Sequence, residues 1–537
     1  MFAMDFKRYK ILNLFFIFIC FLLVIRLFYI QVVNGDYYGE KAMNQRSLSF
    51  RFYPIRGDIY DRNFIPLTGR NFHTYIVVIP SLINSPQEVI SFIKKYTNYS
   101  EEEIFNMITN PKNNVLVLKS SKDDIVEDMS IKGIEIMKYE DRYEDTLAHH
   151  VIGYINKRDG YGESGLEKTF NEVLSGNNRD ELAVFFDANK NFIRGLGIRV
   201  LNKNQTYSIK TTLDYHIQKT VEDVLDKYKR NGAVVVLDAK NSEILAMASR
   251  PNFDQDNIEK YLKSTESELL NKALLNYAPG SVFKIIVAAA ALEKGIVDLD
   301  EQFFCDGFYI VNGVKFRCYK EEKHGYISFE EAFSKSCNST FIQVAQRVGY
   351  KNIIDMAKKF GVGEVFDIDL PMEKGSLPDE RDAMGAGIGN LAIGQGKVAI
   401  TPLHAAEIIA TIVNGGIRKN PVLVKSIVSS DKEQVLHNSD EGIRVISEKT
   451  ALKLKEMMGK VVLEGTGSKI KLGEYGGAGG KSGTAEVTKN INNTWFAGFV
   501  PYEKPRFIIV VFLEKGTTGG DDAAQLFYEI AKSILQR

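Results

Sequence analysis

The sequence has no excess of charge of either sign. Its 68 Lys and Arg residues balance 68 Asp and Glu residues in a chain of 537 residues. Because binding to a phosphate backbone needs a basic field, this balance argues against nucleic acid as a partner. The chain also has no internal repeat and no long low-complexity tract. Its length and its 45% hydrophobic residues are sufficient for more than one folded domain.

One apolar run near the N-terminus is long enough to cross a membrane. Residues 12–33 contain only three polar side chains, and a helix of this length spans about 30 Å, the thickness of a bilayer's hydrocarbon core. Three basic residues precede the run: Lys7, Arg8 and Lys10. The positive-inside rule predicts a cytoplasmic tail at 1–10, a transmembrane anchor at 11–33 and the remainder outside. A cleaved signal peptide is the alternative, although no small-x-small cleavage site follows the run.

Composition divides the rest of the chain into two predicted domains. Residues 34–205 are rich in Asn, Lys, Asp and aromatic residues and carry no catalytic signature, which predicts a non-catalytic domain. In residues 206–537, apolar stretches predict strands near both ends and helices between them, as in an α+β fold. The predicted elements include a hairpin of 233–237 with 244–248, strands at 495–500 and 507–512, and a closing helix at 522–535.

Three short motifs follow one another in the second predicted domain. They are Ser281-Val282-Phe283-Lys284, Ser336-Cys337-Asn338 and Lys481-Ser482-Gly483-Thr484. Pro279 and Gly280 precede Ser281 and an apolar run follows it, so this serine is predicted to begin a buried helix. Lys284, three residues later, projects from the same face of that helix. Each motif alone is weak, but together they indicate a serine acyl-transfer site.

A serine hydroxyl ionises far above neutral pH, so an attacking serine needs a base within hydrogen-bond reach. A lysine among apolar neighbours and beside a second cation can lose its proton near pH 7. We therefore predict that Lys284 is the base and that Lys481 is the second cation. For Ser281, the alternative is a helix N-cap.

Other matches to the same short patterns occur elsewhere in the chain. Residues 429–432 and 468–471 also fit Ser-x-x-Lys, and residues 175–177 fit Ser-x-Asn. The two Ser-x-x-Lys matches lie in polar or glycine-flanked stretches without an apolar helix behind the serine. This context is typical of solvated loop residues, so we expect no catalytic role for them.

Three of the four cysteines lie in the second domain, together with a histidine. The order Cys305, Cys318, His324, Cys337 supplies the three thiolates and one imidazole of a tetrahedral zinc site. Since Cys337 is the middle residue of its motif, such a metal would hold the loop that carries Ser336 from behind. The spacing lacks the close Cys-x2-Cys pair of ordinary zinc fingers. A Cys305–Cys318 disulfide, or three unconnected thiols, therefore stay open as alternatives.

With these motifs the chain resembles a class B penicillin-binding protein, a monofunctional peptidoglycan DD-transpeptidase, of the elongation or sporulation type. Further segments match this class in the same order: Arg56-Gly57-Asp58-Ile59-Tyr60-Asp61-Arg62-Asn63, Gly162-Glu163-Ser164-Gly165-Leu166-Glu167, Thr212-Leu213-Asp214 and Ile393-Gly394-Gln395-Gly396. The resemblance implies an elongated pedestal or dimerisation domain at 34–205. It also implies a transpeptidase domain at 206–537, with a five-stranded antiparallel sheet flanked by helices.

The resemblance implies a role for each residue near the reacting serine. Ser281 would attack the penultimate D-Ala carbonyl of a stem peptide that ends in D-Ala-D-Ala, with Lys284 as its base. The backbone N–H groups of Ser281 and Thr484 would form the oxyanion hole. Ser336 would relay a proton to the leaving D-Ala, and Asn338 would orient the substrate amide and Lys284.

The resemblance also implies how the peptide and its analogues bind. Lys481, Ser482 and Thr484 would hold the substrate carboxylate. Gly483 would leave the strand edge bare, so that an extended peptide can pair with it. The acyl group would then pass to the side-chain amine of a second stem peptide, whereas a β-lactam would trap Ser281 covalently. No cofactor is implied for the chemistry, although some relatives hold a metal beside the Ser-x-Asn motif, which favours zinc here.

The implied location is the bacterial cytoplasmic membrane, with the catalytic domain outside and a polytopic glycosyltransferase as partner. A membrane-anchored β-lactam sensor, a β-lactamase and a non-enzymatic scaffold of a cell-wall synthesis complex are the alternatives. A sensor usually has several spans, and a β-lactamase needs a base for a deacylating water. A scaffold has no need of an intact nucleophile and base. The sequence therefore favours the transpeptidase.

Overall fold

The computed structural model divides the chain into two compact units. One consists of Met1–Ile55, Phe72–Glu140 and Asn177–Asn204, and the other of Arg56–Asn71, Asp141–Gly176 and Gln205–Arg537. The structure describes residues 2–35, 37–38, 41, 47–51, 56–69, 71–110, 113, 115–122, 125, 131–144, 146–156, 160–175, 181–185, 198–201, 207–429, 433–436, 441–488 and 491–537. The predicted boundary between 205 and 206 lies outside these residues, so it stays a prediction.

The first unit begins with a long apolar helix, Phe2–Phe28, which continues as a π-helical turn, Tyr29–Val33. The stretch Arg8–Val33 has a mean hydropathy of 2.8 over its most apolar window, and none of that window is buried. An unburied apolar helix of this length fits a single-pass membrane anchor.

The described residues in the rest of the first unit form two three-stranded sheets and two amphipathic helices. Ile76 and Val78 of one sheet share a core with Phe92 and Ile104 of the helices. The sheets contain Ser47–Arg51, Glu181–Phe185 and Ile198–Leu201 in one, and Leu116–Lys119, Asn71–Val78 and Ile134–Asp141 in the other. The helices are Pro86–Tyr96 and Glu101–Thr109, preceded by a 3-10 turn at Pro80–Leu82.

The second unit is built around a five-stranded antiparallel sheet. Its strands are β1 (Gly232–Asp238), β2 (Ile244–Arg250), β3 (Gly479–Thr488), β4 (Ile491–Val500) and β5 (Phe507–Gly516). They are arranged in the order β2-β1-β5-β4-β3, which leaves β3 at one edge with only β4 beside it. The predicted α+β fold with a five-stranded antiparallel sheet is confirmed.

Helices cover both faces of this sheet, because β1 and β5 are apolar on both sides. Val235 and Val510 face the core that contains the helices Lys284–Glu293 and Pro402–Val413. Val234 and Val511 face the core that contains Tyr215–Tyr228 and Ala524–Leu535. The first core positions the candidate site, since the helix that follows Ser281 is buried in it.

The remaining elements of the second unit surround this sheet. A four-stranded sheet contains Glu433–Val435, Val424–Val428, Ser208–Thr211 and Ile59–Tyr60, and two-stranded pairs join Gln302–Cys305 with Gly325–Ser328, Phe308–Val311 with Val314–Arg317, and Ile417–Arg418 with Ile443–Arg444. The other helices are His149–Ile152, Gly165–Thr169, Asn171–Ser175, Phe329–Ser334, Asn338–Val348, Tyr350–Lys359, Glu380–Ala383, Gly387–Ala392 and Glu448–Leu463. Short 3-10 turns lie at Ile258–Lys260, Lys272–Leu274, Gly280–Phe283, Tyr319–Glu321 and Gly473–Tyr475, and a π-helical turn lies at Gly519–Ala523.

A buried ionic network joins two of the segments that the sequence singled out. Arg56 Nε lies 3.0 Å from Glu167 Oε2, and Arg142 Nε lies 2.5 Å from Glu167 Oε1. Arg56 also donates to the Gly160 carbonyl and to Asn171 Oδ1. Because buried charges need partners, these contacts hold the segment that begins at Arg56 inside the second unit.

Candidate active site

Ser281 lies in the 3-10 turn Gly280–Phe283, which leads directly into the helix Lys284–Glu293. The sequence predicted a helix that begins at Ser281, and the structure places one tight turn before the α-helix. Gly280 has φ +55°, and a Cβ on it would lie 2.5 Å from the Thr484 carbonyl oxygen. Only glycine therefore allows the serine turn to approach β3 this closely.

The segment Ile393–Gly396, singled out in the sequence, packs behind this turn. The Gly280 N–H donates to the Gly394 carbonyl over 3.0 Å. A Cβ on Gly394 would lie 2.2 Å from the Gly280 carbonyl oxygen. The turn is thus enclosed between β3 and this segment, which limits how far Ser281 can move.

Lys284 is fully buried, and its amine bonds to the second motif. Its Nζ donates to the Ser336 carbonyl over 2.6 Å, to Ser336 Oγ over 3.2 Å and to Asn338 Oδ1 over 2.7 Å. No hydrogen bond to the Ser281 hydroxyl is present among the described residues. The structure therefore brings Lys284 together with Ser336 and Asn338, as the sequence predicted.

Burial is the main cause of the shifted pKa values in this site. It lowers the pKa of Lys284 to about 8. It also lowers the pKa of Lys481 well below its usual value, and the charge of Lys284 lowers it further. The sequence attributed the base character of Lys284 to a nearby Lys481 as well as to apolar neighbours. Burial alone lowers the pKa of Lys284, and the charges of Cys337 and Cys318 act in the opposite direction, so the contribution that the sequence assigned to Lys481 is not among the causes.

The second motif has a conformation that a helix start imposes. Ser336 has φ +59°, and the Cys337 sulfur then accepts the Thr340 N–H at the start of the helix Asn338–Val348. Asn338 Nδ2 donates to the Arg317 carbonyl over 2.8 Å. Since the amide nitrogen is fixed in this way, the amide oxygen of Asn338 must face Lys284.

The third motif lies on the edge strand β3. Lys481 is fully buried, with its Nζ 3.2 Å from the Ser482 carbonyl oxygen and 5.6 Å from the centre of the Phe333 ring. Ser482 and Thr484 share the opposite face of the strand, because alternate side chains point the same way. The third motif lies against the serine turn, because Gly280 is so close to the Thr484 carbonyl oxygen that a Cβ would not fit between them.

Gly483 has a steric reason for being glycine in addition to the predicted bare edge. A Cβ at this position would lie 2.7 Å from the Pro279 carbonyl oxygen and 2.9 Å from Val282 Cγ2. Any side chain would therefore push the serine turn away from β3. The free edge of β3 follows from its place in the sheet, whereas the absence of a side chain on Gly483 lets the serine turn pack against its face.

The four predicted metal ligands form one cluster. The sulfurs of Cys305 and Cys318 lie 3.6 Å apart, those of Cys318 and Cys337 lie 3.8 Å apart, and Cys305 Sγ lies 3.3 Å from His324 Nδ1. All four ligand atoms lie within 4.8 Å of one another, and the three cysteines are buried free thiols. Tetrahedral zinc with bonds of about 2.3 Å separates its sulfur ligands by about 3.8 Å, so the donor set fits this metal.

The other motif matches do not form a site among the described residues. Ser468 donates its N–H to the Gly465 carbonyl in a loop, and Lys471 is exposed. Residues 430–432 and 176–177, which belong to the remaining matches, lie outside the described residues.

Two contacts of the third motif had no counterpart in the sequence analysis. Thr466 Oγ1 lies 2.6 Å from Ser482 Oγ, and the Gly519 N–H donates to Thr484 Oγ1 over 3.1 Å. The pair of glycines that flank Thr466 was the available signal, because paired glycines often mark a close approach of the backbone.

Family comparisons agree with this fold and with the order of its domains. Residues 51–203 match the family described as "Penicillin-binding Protein dimerisation domain", and residues 232–532 match "Penicillin binding protein transpeptidase domain". The chain therefore belongs to the penicillin-binding protein transpeptidase family, among its class B members. The predicted family is confirmed.

Individual relatives match nearly the whole chain. Stage V sporulation protein D of Bacillus subtilis is 29% identical over 98% of this chain and 85% of its own length. Peptidoglycan D,D-transpeptidase MrdA of Acinetobacter baumannii is 27% identical over 95% of this chain and 84% of its own. The crystal structure of penicillin-binding protein 3 from Mycobacterium tuberculosis, complexed with aztreonam, is 25% identical with a TM-score of 0.65. That match covers 90% of this chain and 96% of the solved one.

Proposed function

We propose that this protein is a peptidoglycan D,D-transpeptidase that cross-links stem peptides through an acyl-enzyme on Ser281. The observation that carries the proposal is the buried amine of Lys284, bonded to Ser336 and Asn338 one helical turn from Ser281. Family membership supports it, as do relatives that are named peptidoglycan D,D-transpeptidases and one that is solved with aztreonam.

The hydrogen bonds of Lys284 suggest how the proton moves. A charged amine has three N–H donors, which match its three acceptors on Ser336 and Asn338. A neutral amine keeps two donors, and these suit the two acceptors that cannot donate, the Ser336 carbonyl and the Asn338 amide oxygen. The lone pair of the neutral amine is then directed at the third partner, the Ser336 hydroxyl. Lys284 takes the Ser281 proton as Oγ attacks, and Ser336 then gives its own proton to the leaving D-Ala amine and takes up the proton that Lys284 gained.

The oxyanion hole is assigned to two backbone N–H groups, those of Ser281 and Thr484. The serine turn lies close to β3, and the missing side chains of Gly280 and Gly483 permit this approach. The short separation supports the assignment. Donors that are held in place before the reaction stabilise the developing negative charge without reorganisation. The amine of a second stem peptide then attacks the acyl carbon and loses a proton to Lys284, which passes it to Ser281 Oγ as the ester bond breaks, so the cross-link forms and Ser281 is restored.

The substrate carboxylate is assigned to Lys481, Ser482 and Thr484. Burial lowers the pKa of Lys481, and a bound carboxylate would favour its charged form below β3, while the two hydroxyls share the other face of the strand. The peptide backbone is expected to pair with the free edge of β3, because β3 is bonded to β4 on its other side. A β-lactam resembles the D-Ala-D-Ala end and is expected to acylate Ser281.

Labelling of the full-length protein with a fluorescent penicillin, followed by mass mapping of the adduct, tests the proposal. The adduct is expected on Ser281, stable for many minutes, and absent from Ser281→Ala. The matched control is Ser468→Ala, which removes the serine of another Ser-x-x-Lys sequence and should label like the unaltered protein. An adduct on Ser429 or Ser468 would refute the assignment, and rapid release of the penicillin would indicate a β-lactamase.

We also propose that Cys305, Cys318, His324 and Cys337 hold a structural zinc ion. The spacing of their ligand atoms and the burial of the cysteines support this proposal. Zinc supplies no chemistry to the acyl transfer. It would fix Cys337, and with it the conformation of Ser336 and Asn338 on either side.

We propose a single-pass protein of the bacterial cytoplasmic membrane with its catalytic unit outside. The unburied apolar helix and the basic residues before it support this orientation. A polytopic glycosyltransferase partner in the membrane is proposed on the resemblance to class B relatives.

A further inference from the structure

Thr466 contacts two walls of the proposed site at once. Its N–H donates to the carbonyl oxygen of Ser334 over 3.1 Å, two residues before Ser336. Its Oγ1 lies 2.6 Å from Ser482 Oγ, one residue after Lys481. A single residue outside the three motifs therefore links the loop of the second motif to the strand of the third.

The backbone around Thr466 is closely enclosed. A Cβ on Gly465 would lie 2.3 Å from the Ser334 carbonyl oxygen, and a Cβ on Gly520 would lie 2.5 Å from the Thr466 carbonyl oxygen. The Gly467 N–H donates to the Val461 carbonyl over 2.9 Å. Because contacts on three sides hold this backbone, the threonine hydroxyl has a defined position relative to β3.

The neighbouring hydroxyl on β3 shows what such a contact can do. The Gly519 N–H can only donate, so Thr484 Oγ1 accepts this bond and keeps its own proton free. Ser482 lies on the same face of β3. Among the described residues, its hydroxyl has one hydrogen-bond partner, Thr466 Oγ1. If Thr466 donates, the Ser482 proton is likewise free for a negatively charged ligand.

We infer that Thr466 is a positioning residue whose hydroxyl donates a hydrogen bond to Ser482 Oγ. The Ser482 hydroxyl is then directed to donate its own hydrogen bond to the substrate carboxylate. This inference rests on the proposed function, in which Ser482 and Thr484 bind that carboxylate. In this inference Thr466 acts through its contact with Ser482 rather than through a contact of its own with the carboxylate. Consecutive hydrogen bonds of this kind polarise one another, which strengthens the last bond in the chain.

The first test is the rate constant for acylation of the full-length protein by benzylpenicillin. Thr466→Val removes the hydroxyl but keeps the side-chain shape and the N–H that bonds Ser334. We expect it to lower the second-order rate constant about tenfold, mainly through weaker binding, and Thr466→Ser to restore it to within about twofold. The control is Thr411→Val, which removes a buried hydroxyl bonded to its own helix and should leave acylation unchanged.

The second test separates positioning from a merely structural role. Benzylpenicillin methyl ester lacks the carboxylate, so Thr466→Val and the unaltered protein should react with it at equal rates. In a Ser482→Ala background, Thr466→Val should have no further effect on the reaction with benzylpenicillin. If Thr466→Val melts well below the unaltered protein, Thr466→Ala removes the same hydroxyl and is measured in its place.

Equal losses with the acid and the ester, or additive losses with Ser482→Ala, would overturn the inference and leave the proposed function intact. An unaltered protein that benzylpenicillin does not acylate would overturn the proposed function itself, and this inference with it.

Discussion

At the scale of single residues, the amine of Lys284 depends on its surroundings for its chemistry. A lysine exposed to water is charged at neutral pH and cannot accept a proton. Burial removes hydration that the charged form needs, and this lowers the pKa of Lys284 to about 8. The same burial fixes the amine against Ser336 and Asn338, so one structural cause supplies both the low pKa and the position that the proposed base needs.

The lowered pKa of Lys284 predicts how acylation depends on pH. Only the neutral amine can take the Ser281 proton, and its fraction rises about tenfold per pH unit below the pKa. We expect the acylation rate constant to rise with pH and to level off above about pH 8. Measurement with a fluorescent penicillin from about pH 6 to about pH 9.5 checks this expectation.

A matched control for this profile is Lys471→Ala, which removes the lysine of another Ser-x-x-Lys sequence and should leave the profile unchanged. A rate constant that stays flat, or falls as pH rises, would contradict the role of Lys284.

The lowered pKa of Lys284 also predicts how the free energy of unfolding depends on pH, and it rises with pH as the acylation rate constant does. Since the unfolded state binds more protons than the folded state between about pH 8 and the ordinary lysine pKa, the cost that burying Lys284 imposes on folding falls as pH rises through that window, and the free energy of unfolding rises.

Motif order predicted the candidate residues because each motif has a local structure of its own. Ser281 and Lys284 are neighbours on one helical segment, and Ser336 precedes a helix start. Thr466 and Gly519 were not predicted. They reach Ser482 and Thr484 from 16 and 35 residues away, through a hydroxyl and a backbone N–H. The glycines that flank Thr466 indicate a close approach of the backbone, but they do not indicate which residue it approaches.

At the scale of elements, apolar runs predicted four strands of the five-stranded sheet but not the edge strand β3. The predicted hairpin lies within β1 and β2, and the two later predicted strands lie within β4 and β5. β3 carries the third motif, yet its first residues are glycine and polar residues with low strand propensity. Pairing with β4 imposes its conformation, so only the family resemblance indicated a strand there.

The last helix begins at a different residue from the one predicted, for a similar reason. The sequence predicted a helix from 522 to 535, whereas the α-helix is Ala524–Leu535 and a π-helical turn, Gly519–Ala523, precedes it. A Cβ on Gly519 would lie 2.2 Å from the Gly483 carbonyl oxygen, so this turn is shaped by its contact with β3. Such a tertiary contact cannot be read from helical periodicity.

The zinc proposal is tested at the scale of the element that holds the ligands. We expect the full-length protein, purified without added metal, to carry about one equivalent of zinc. His324→Ala should lose most of it, lower the melting temperature by roughly 5 °C or more, and slow acylation, because Cys337 lies between Ser336 and Asn338. Elemental analysis, thermal melting and penicillin labelling measure the three effects.

The matched control for the zinc test is His404→Ala, which removes a buried histidine that caps another helix. It should lower the melting temperature without loss of zinc. A chelator should destabilise the unaltered protein far more than His324→Ala. Zinc near zero in the unaltered protein under mild reducing conditions would refute the proposal. Destabilisation by reductant, with indifference to chelator, would instead indicate a Cys305–Cys318 disulfide.

At the scale of the whole molecule, long-range ion pairs decide which segments belong together. The boundary between 205 and 206 stays a prediction, and Arg56, Arg142 and Glu167 meet in one buried network within the second unit. The sequence singled out the segments of Arg56 and Glu167 through the family resemblance. Their contact could not be predicted, because more than a hundred residues separate the two charges.

The orientation of the whole chain in the membrane gives the last prediction. The basic tail before the apolar helix predicts that the N-terminus stays in the cytoplasm and that everything after the helix lies outside. Protease added to intact spheroplasts should therefore digest the catalytic unit, while an epitope fused to the N-terminus stays protected until the membrane is lysed. A cytoplasmic protein assayed in the same spheroplasts is the control for leakage. Protection of the catalytic unit would reverse the orientation, and a mature N-terminus near Asn34 would show that the helix is a cleaved signal peptide.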